Sequence, residues 1–391
     1  MRRSSRRPSL ARQLSSFPQF PPTQSSLDWQ RSEQAYFNRL PHIAATGTGH
    51  TRDLSNRKSC PDKPSQLCVA FHLHPQLYNM SIIQYVYNMV DEPMPALSII
   101  LIAHNMEREL PRTLKSFSPA MQQGLSVDDY ELIVVDNGSR RPFRQQELEP
   151  FAPNVRVLDA PDPTPSPVAA IHQGLVAANG ELIGVCIDGA RMASPGLLVN
   201  ALAASQLHPK PVIGTLAFHL GFKVQMESVP EGYSQEVEDT LLARCDWEKD
   251  GYRLFQISSF AGSSAEGWFK LPAETNALFL KRSHWRDLNG GYDIRFRTPG
   301  GGLANLDLWH RLAEDATSGL IMLLGEATFH QVHGGVATNA LESPWAEFSR
   351  EYRAIRGVEY KRPVRRPLLY GAFNAESASH IEFFSSSASS R

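Results

Sequence analysis

The chain has 391 residues, 42% apolar and 20% charged, with a formal net charge of −1, enough apolar material to bury a full core and to fill two domains. The balance conceals a division: residues 94–391 carry 28 Lys/Arg against 34 Asp/Glu, and a mildly acidic body argues against bulk nucleic-acid binding. No apolar run reaches the ~18 residues of a membrane span, and Cys60, Cys68, Cys186 and Cys245 are too few and scattered for a disulfide framework, which together fit a reducing, cytoplasmic setting with any membrane contact peripheral, at the inner face.

Residues 1–93 differ in kind from the rest. Met1 to Phe20 is rich in Arg and Ser, with no acid before Asp28, and Pro18, Pro21 and Pro22 follow. Such a segment packs into no core. It reads as a disordered or dispensable extension, Met94 being a natural start, with an organelle transit peptide as the competing reading.

From Leu97 onward strands and helices alternate. Leu97 to Ala103 is a buried strand broken by His104-Asn105, and Glu107 to Phe117 is a helix with Leu110, Leu114 and Phe117 on one face. Residues 131–135 form a second apolar, β-branched strand that ends at Asp136-Asn137-Gly138-Ser139. Val155 to Leu158 is a third strand, and a Pro-rich loop follows. Val168 to Asn179 is a small-residue helix closed by Gly180, and Leu182 to Ile187 is a fourth strand ending at Asp188. This order predicts a parallel sheet with right-handed crossovers. Three strand ends then carry polar groups, His104-Asn105, Asp136-Asn137 and Asp188-Gly189, at the sheet edge where ligands of open α/β folds bind. The first turn, Ala103 to Glu107, contains no glycine, which excludes the dinucleotide fingerprint and the P-loop. Phosphate must be held by a metal or by cationic side chains.

Several segments, taken in order, resemble the family 2 glycosyltransferases. They are Ser98 to Asn105 with Glu107, Glu131 to Ser139, Gly180 to Pro195, Asn276 to Arg282 with Gly290-Gly-Tyr-Asp293, Gly300 to Arg311, and Thr328 to His333. The resemblance implies an α/β, GT-A domain with a mostly parallel central sheet flanked by helices. It implies a hexosyltransferase-like enzyme, inverting, that moves a sugar from a UDP- or dTDP-sugar to a saccharide or lipid-linked acceptor, as in polysaccharide biosynthesis. The backbone of Ala103 to Asn105 would cradle the base, Glu107 would lie near the nucleotide, and Asp136 would accept from the base imide.

Two places depart from the family pattern. Where the family has a D-x-D that holds a divalent cation (Mn or Mg), Asp188 keeps the first acid and Ala190 occupies the second. Either Asp188 ligates the cation with His330 or His333, or Arg191 meets the diphosphate directly. Where the family has an E-D pair, Ala304-Asn305 stands, which leaves Asp307 as the expected base, with Glu266 as a second candidate. These losses also motivate a rival reading, a non-catalytic nucleotide-sugar-binding protein that retains the fold. A nucleotidyltransferase is more distant, for want of a glycine-rich basic loop.

The expected organisation is an extension to residue 93, the GT-A domain at 94–340, divided near 195 into nucleotide-binding and acceptor halves, a helical extension at 341–371 and a frayed Ser-rich tail at 372–391. Aromatics between Trp247 and Phe269 suit either sugar stacking or core packing.

Overall fold

The structure is a computed structural model. It describes residues 94–336 and 344–388, with side chains to residue 381; the extension at 1–93 lies outside them. The described residues fall in one unit, Asp91–Arg391.

Ten strands build one sheet: β1 (Leu97–Ala103), β2 (Tyr130–Asp136), β3 (Val155–Asp159), β4 (Leu182–Cys186), β5 (Arg191–Ala193), β6 (Pro211–Leu220), β7 (Ser258–Phe260), β8 (Leu278–Lys281), β9 (Gly319–His330) and β10 (Leu368–Gly371). The order is β10-β9-β6-β8-β4-β1-β2-β3, with β5 on β9 and β7 on β6. Pairing is parallel along β4-β1-β2-β3 and along β6-β9-β10. Antiparallel β8 is inserted between these two blocks.

The first strand shows why these residues form a central strand. All seven of its residues are buried; Ile100 and Ile102 face one core, and Ile99, Leu101 and Ala103 face the other. Apolar groups at every position but Ser98 suit a parallel strand covered on both faces. The helix after it, Glu109–Phe117, buries Leu110, Leu114 and Phe117 completely. Gly180 acts differently from the helix closure expected of it. The preceding helix ends at Ala177, and a Cβ on Gly180 would lie 2.4 Å from the Ser98 nitrogen, so the glycine lets the chain pass against β1.

The aromatics near residue 250 are core. Trp247, Phe255 and Trp268 are buried, and Phe255 packs edge-on against Phe218 and Phe329.

The C-terminal segment is more structured than its composition suggests. Helix Trp345–Arg356 is followed by β10, which adds to the sheet edge on β9, and then by helix Ala375–Ala388 in place of the frayed tail. Asn374 opens that last helix, its Oδ1 accepting from the N–H groups of Glu376 and Ser377. His380 reaches the carbonyl of Phe255. Among the described residues no helix is long and apolar enough to cross a membrane.

Candidate functional site

The ends of β1, β2 and β4 lie side by side because the three strands are parallel neighbours, with Ala103 opposite Asp136. Two backbone bonds tie the turns beyond them to β1: Asn137 N–H donates to Ala103 O at 2.8 Å and Gly189 N–H to Ile102 O at 2.7 Å. Asn105 takes a left-handed backbone, φ 52°, which Asn tolerates. There its N–H donates to Ser139 Oγ at 2.9 Å, and its Oδ1 accepts from Arg140 N–H at 2.8 Å. Glu107 is exposed and lines a shallow pocket with Pro111, Arg141, Phe143 and Phe151.

Asp136 is engaged differently from the expectation. One carboxylate oxygen accepts from Ser139 N–H at 2.8 Å and the other from Phe143 N–H at 3.0 Å, and the residue is buried. Its charge shapes the loop from Asn137 to Phe143, the turn role that Asp-Asn-Gly-Ser composition already allows.

The densest chemistry lies where β9 ends beside Asp188. Arg191 on β5 stands opposite His330 on β9, and Asp188 precedes β5 by one tight turn, closed by Ala190 N–H donating to Asp188 Oδ1 at 2.9 Å. The other oxygen, Oδ2, lies 2.9 Å from His330 Nε2 and 3.4 Å from His333 Nε2. These three ligand atoms lie within 4.8 Å of one another.

The tautomer of His330 follows from its neighbour. Gln225 donates through Nε2 to the His330 carbonyl at 3.0 Å, so its Oε1 is the atom that meets His330 Nδ1 at 2.7 Å. An amide oxygen only accepts, so Nδ1 carries the proton. Burial, with Arg191 beside it, pushes the imidazole down to about 4 against the pull of Asp188. A neutral ring protonated on Nδ1 aims the Nε2 lone pair at Asp188 and at His333 Nε2, 3.0 Å away. Burial works against charge on both Asp188 and His333. Their mutual attraction wins, holding the carboxyl well below its usual range and raising the imidazole. With His333 deprotonated, two lone pairs and a carboxylate fit a divalent cation, with Gln225 as the outer partner that orients His330. A mixed imidazole and carboxylate set admits Mn as readily as Mg. Two imidazoles thus stand beside Asp188, where Ala190 offers no second acid.

Arg191 completes the site. Its side chain is buried, its Nε is 3.8 Å from Asp188 Oδ2, and neither Nε nor Nη1 has a hydrogen-bond partner. A buried guanidinium with unsatisfied donors is costly unless an anion meets it.

Asp307, the expected base, is clamped by arginines. It is 1% exposed; Arg311 Nε donates to Oδ2 at 2.9 Å, and Arg356 donates from Nε to Oδ1 at 2.6 Å and from Nη2 to Oδ2 at 2.7 Å. A carboxylate held by two guanidinium groups has both oxygens committed to ion pairs and anchors the helix that carries it. Glu266, exposed, is paired with Arg362 at 3.1 Å.

Gln225 and Glu274 also belong to this region. Glu274 is half-buried just ahead of β8 and accepts from Asn305 Nδ2 at 2.7 Å. No period or motif marks either residue; their roles come from contacts 105 and 31 positions away.

Comparison with known proteins agrees with this picture. Residues 98–216 match the family described as Glycosyl transferase family 2. No curated protein matches the chain. Among solved structures, S. aureus TarS 1–349 is similar at 12% identity and a TM-score of 0.41 over 66% of this chain and 64% of that one, so the chain spans less than two thirds of that relative. The same protein in complex with UDP-GlcNAc gives 14% and 0.44 over 66% and 65%. Glucosyl-3-phosphoglycerate synthase from Mycobacterium tuberculosis, in complex with Mg2+ and UDP, gives 15% and 0.37 over 74% and 87%. Residues 98–216, the stretch that matches glycosyl transferase family 2, run from β1 into β6 and carry the Asp188 turn.

Proposed function

We propose that this protein is a glycosyltransferase that moves a sugar, with inversion, from a UDP- or dTDP-sugar to a hydroxyl of a saccharide or lipid-linked acceptor. The observation that carries the reading is Arg191, a buried cation with two unsatisfied donors beside a convergent Asp188–His330–His333 set, at the edge where β1, β2 and β4 end. A nucleoside diphosphate is the ligand whose chemistry meets both halves of that site. Arg191 would hold diphosphate oxygens by charge-assisted hydrogen bonds, strengthened by burial. Asp188, His330 and His333 would hold a divalent cation, Mn or Mg, which when bound supplies neutralising charge for the departing diphosphate. Ala103 and Asn105 would offer the backbone surface for the base, with Glu107 at its rim and Asp136 keeping the loop beside them in shape. The process we infer is polysaccharide biosynthesis in the cytoplasm, at the membrane face where a lipid-linked acceptor is presented.

The rival reading, a non-catalytic nucleotide-sugar-binding protein, draws on Ala190 and Asn305 standing where the family has acids. Isothermal titration of the full chain with UDP-, dTDP- and GDP-sugars, with and without Mn2+, tests the shared step. Metal-dependent binding of a UDP- or dTDP-sugar is expected; binding of none of them overturns the proposal. Release of the free nucleoside diphosphate then separates enzyme from binder.

A further inference from the structure

We infer that Glu274 is the general base of the transfer reaction, working from beside the position where Asn305 replaces the expected acid. The inference rests on the glycosyltransferase reading and names the residue that reading lacks.

The other candidate carboxylates are already engaged. Both oxygens of Asp136 accept backbone N–H groups. Asp188 faces two imidazoles. Asp307 is clamped by Arg311 and Arg356, and Glu266 is paired with Arg362. Glu274 alone of this set has neutral amides as its near partners. Asn305 Nδ2 donates to it at 2.7 Å and also to Thr275 O at 2.9 Å, while Asn305 Oδ1 accepts from Tyr292 O–H at 3.2 Å. The amide is therefore fixed with its N–H2 side toward Glu274, and Asn305 acts as a positioning residue for that carboxylate.

Two further observations point to chemistry. Glu274 is half-buried, with Arg191 close enough for its charge to act on the carboxylate. Burial raises the carboxyl above its usual range, against the opposing pull of Asn305 and Arg191, and a base works best when its pKa approaches the working pH.

In the step itself the acceptor oxygen forms a bond to the anomeric carbon as the bond from that carbon to the diphosphate oxygen breaks. The bonding pair leaves with the nucleoside diphosphate, and the acceptor's hydroxyl proton passes to the Glu274 carboxylate. Nothing is oxidised or reduced.

The test measures UDP release from UDP-glucose, UDP-galactose and UDP-GlcNAc by the full chain with Mn2+, water serving as acceptor, beside calorimetric UDP affinity. Glu274→Gln keeps an acceptor for Asn305, so folding and UDP affinity should hold within about threefold while turnover falls about 10²-fold or more. Glu274→Asp should retain part of the rate. If the Gln variant unfolds, Glu274→Ala with added formate takes its place, and formate should restore turnover. Release by Glu274→Gln at the wild-type rate, or no rescue of the Ala variant, overturns the assignment. Wild-type protein that binds UDP-sugars without releasing UDP overturns this inference and leaves a binding protein; wild-type protein that binds none overturns the proposed function itself.

Discussion

Arg356 lays its guanidinium flat against Asp307, with Nε 2.6 Å from one carboxylate oxygen and Nη2 2.7 Å from the other. Its remaining nitrogen, Nη1, reaches Asp293 at 2.9 Å. One cation thus closes two acidic sites, and Arg356 comes from the helix at Trp345–Arg356. Removing one partner of a buried pair leaves an uncompensated charge at about 3–5 kcal/mol. Arg356→Ala leaves Asp307 to Arg311 and Asp293 to Arg295, so it should cost less than that, about 1–3 kcal/mol in urea unfolding, with UDP affinity in the folded fraction preserved. A loss below about 1 kcal/mol, within the range of exposed ion pairs, would show that Arg311 alone is enough to neutralise Asp307.

The proposed cation site rests on a residue that would not touch the cation. Gln225→Leu removes the acceptor that keeps the proton of His330 on Nδ1. It should weaken Mn2+ binding about 10–100-fold, the usual cost of losing an outer-sphere partner. Asp188→Ala should abolish binding. Calorimetry with MnCl2 on the full chain reads both effects, and unchanged affinity in Gln225→Leu would refute the orienting role.

Arg191 separates ligand binding from stability. Charge-assisted hydrogen bonds contribute roughly 1.5–3 kcal/mol each, so Arg191→Met should lower UDP affinity by about 10–100-fold. The same change removes a buried charge whose Nε and Nη1 lack partners, so the melting temperature of the unliganded protein should hold or rise. A fall in melting temperature with UDP affinity intact would make Arg191 a structural residue.

A pH prediction attaches to Glu326 on β9. It is buried among Ser194, Gly196, Asn200 and Tyr252, and burial outweighs those donors, pushing its carboxyl from 4.5 up to about 7. The folded state then holds this proton more tightly than the unfolded state. The associated stability is fully present below pH 4.5 and is lost as pH rises to 7. At 1.36 kcal/mol per pH unit the loss is about 3 kcal/mol. Glu326→Gln should remove that part of the slope between these limits, seen as a wild-type-minus-variant difference that shrinks as pH rises. A difference independent of pH would place the Glu326 carboxyl at its ordinary value.

Some of this site is legible in the chain and some is not, for definite reasons. β1, β2 and β4 announce themselves because a strand buried on both faces needs an apolar residue at nearly every position, and each stops where a polar residue must reach the edge. Asp188, Arg191, His330 and His333 belong to that legible part, on strand ends whose register brings them together. Asp307 misleads because its anchor, Arg356, lies 49 residues further on, and no local pattern distinguishes a free acid from a clamped one. Glu274 is silent for the same reason. The short β10, Leu368 to Gly371, has too few residues for a period and takes its form from the edge of β9.

The clamp on Asp307 also sets an order of events during synthesis. Every strand from β1 to β9 leaves the ribosome before Arg356 does, so for a time the nascent sheet carries Asp307 and Asp293 without the cation that neutralises them together. A chain cut at residue 340 would remain in that state permanently. The shared clamp is therefore reached only once the helix Trp345–Arg356 has emerged, and a fragment trimmed at residue 340 would leave Asp307 to Arg311 and Asp293 to Arg295, with no cation joining the two.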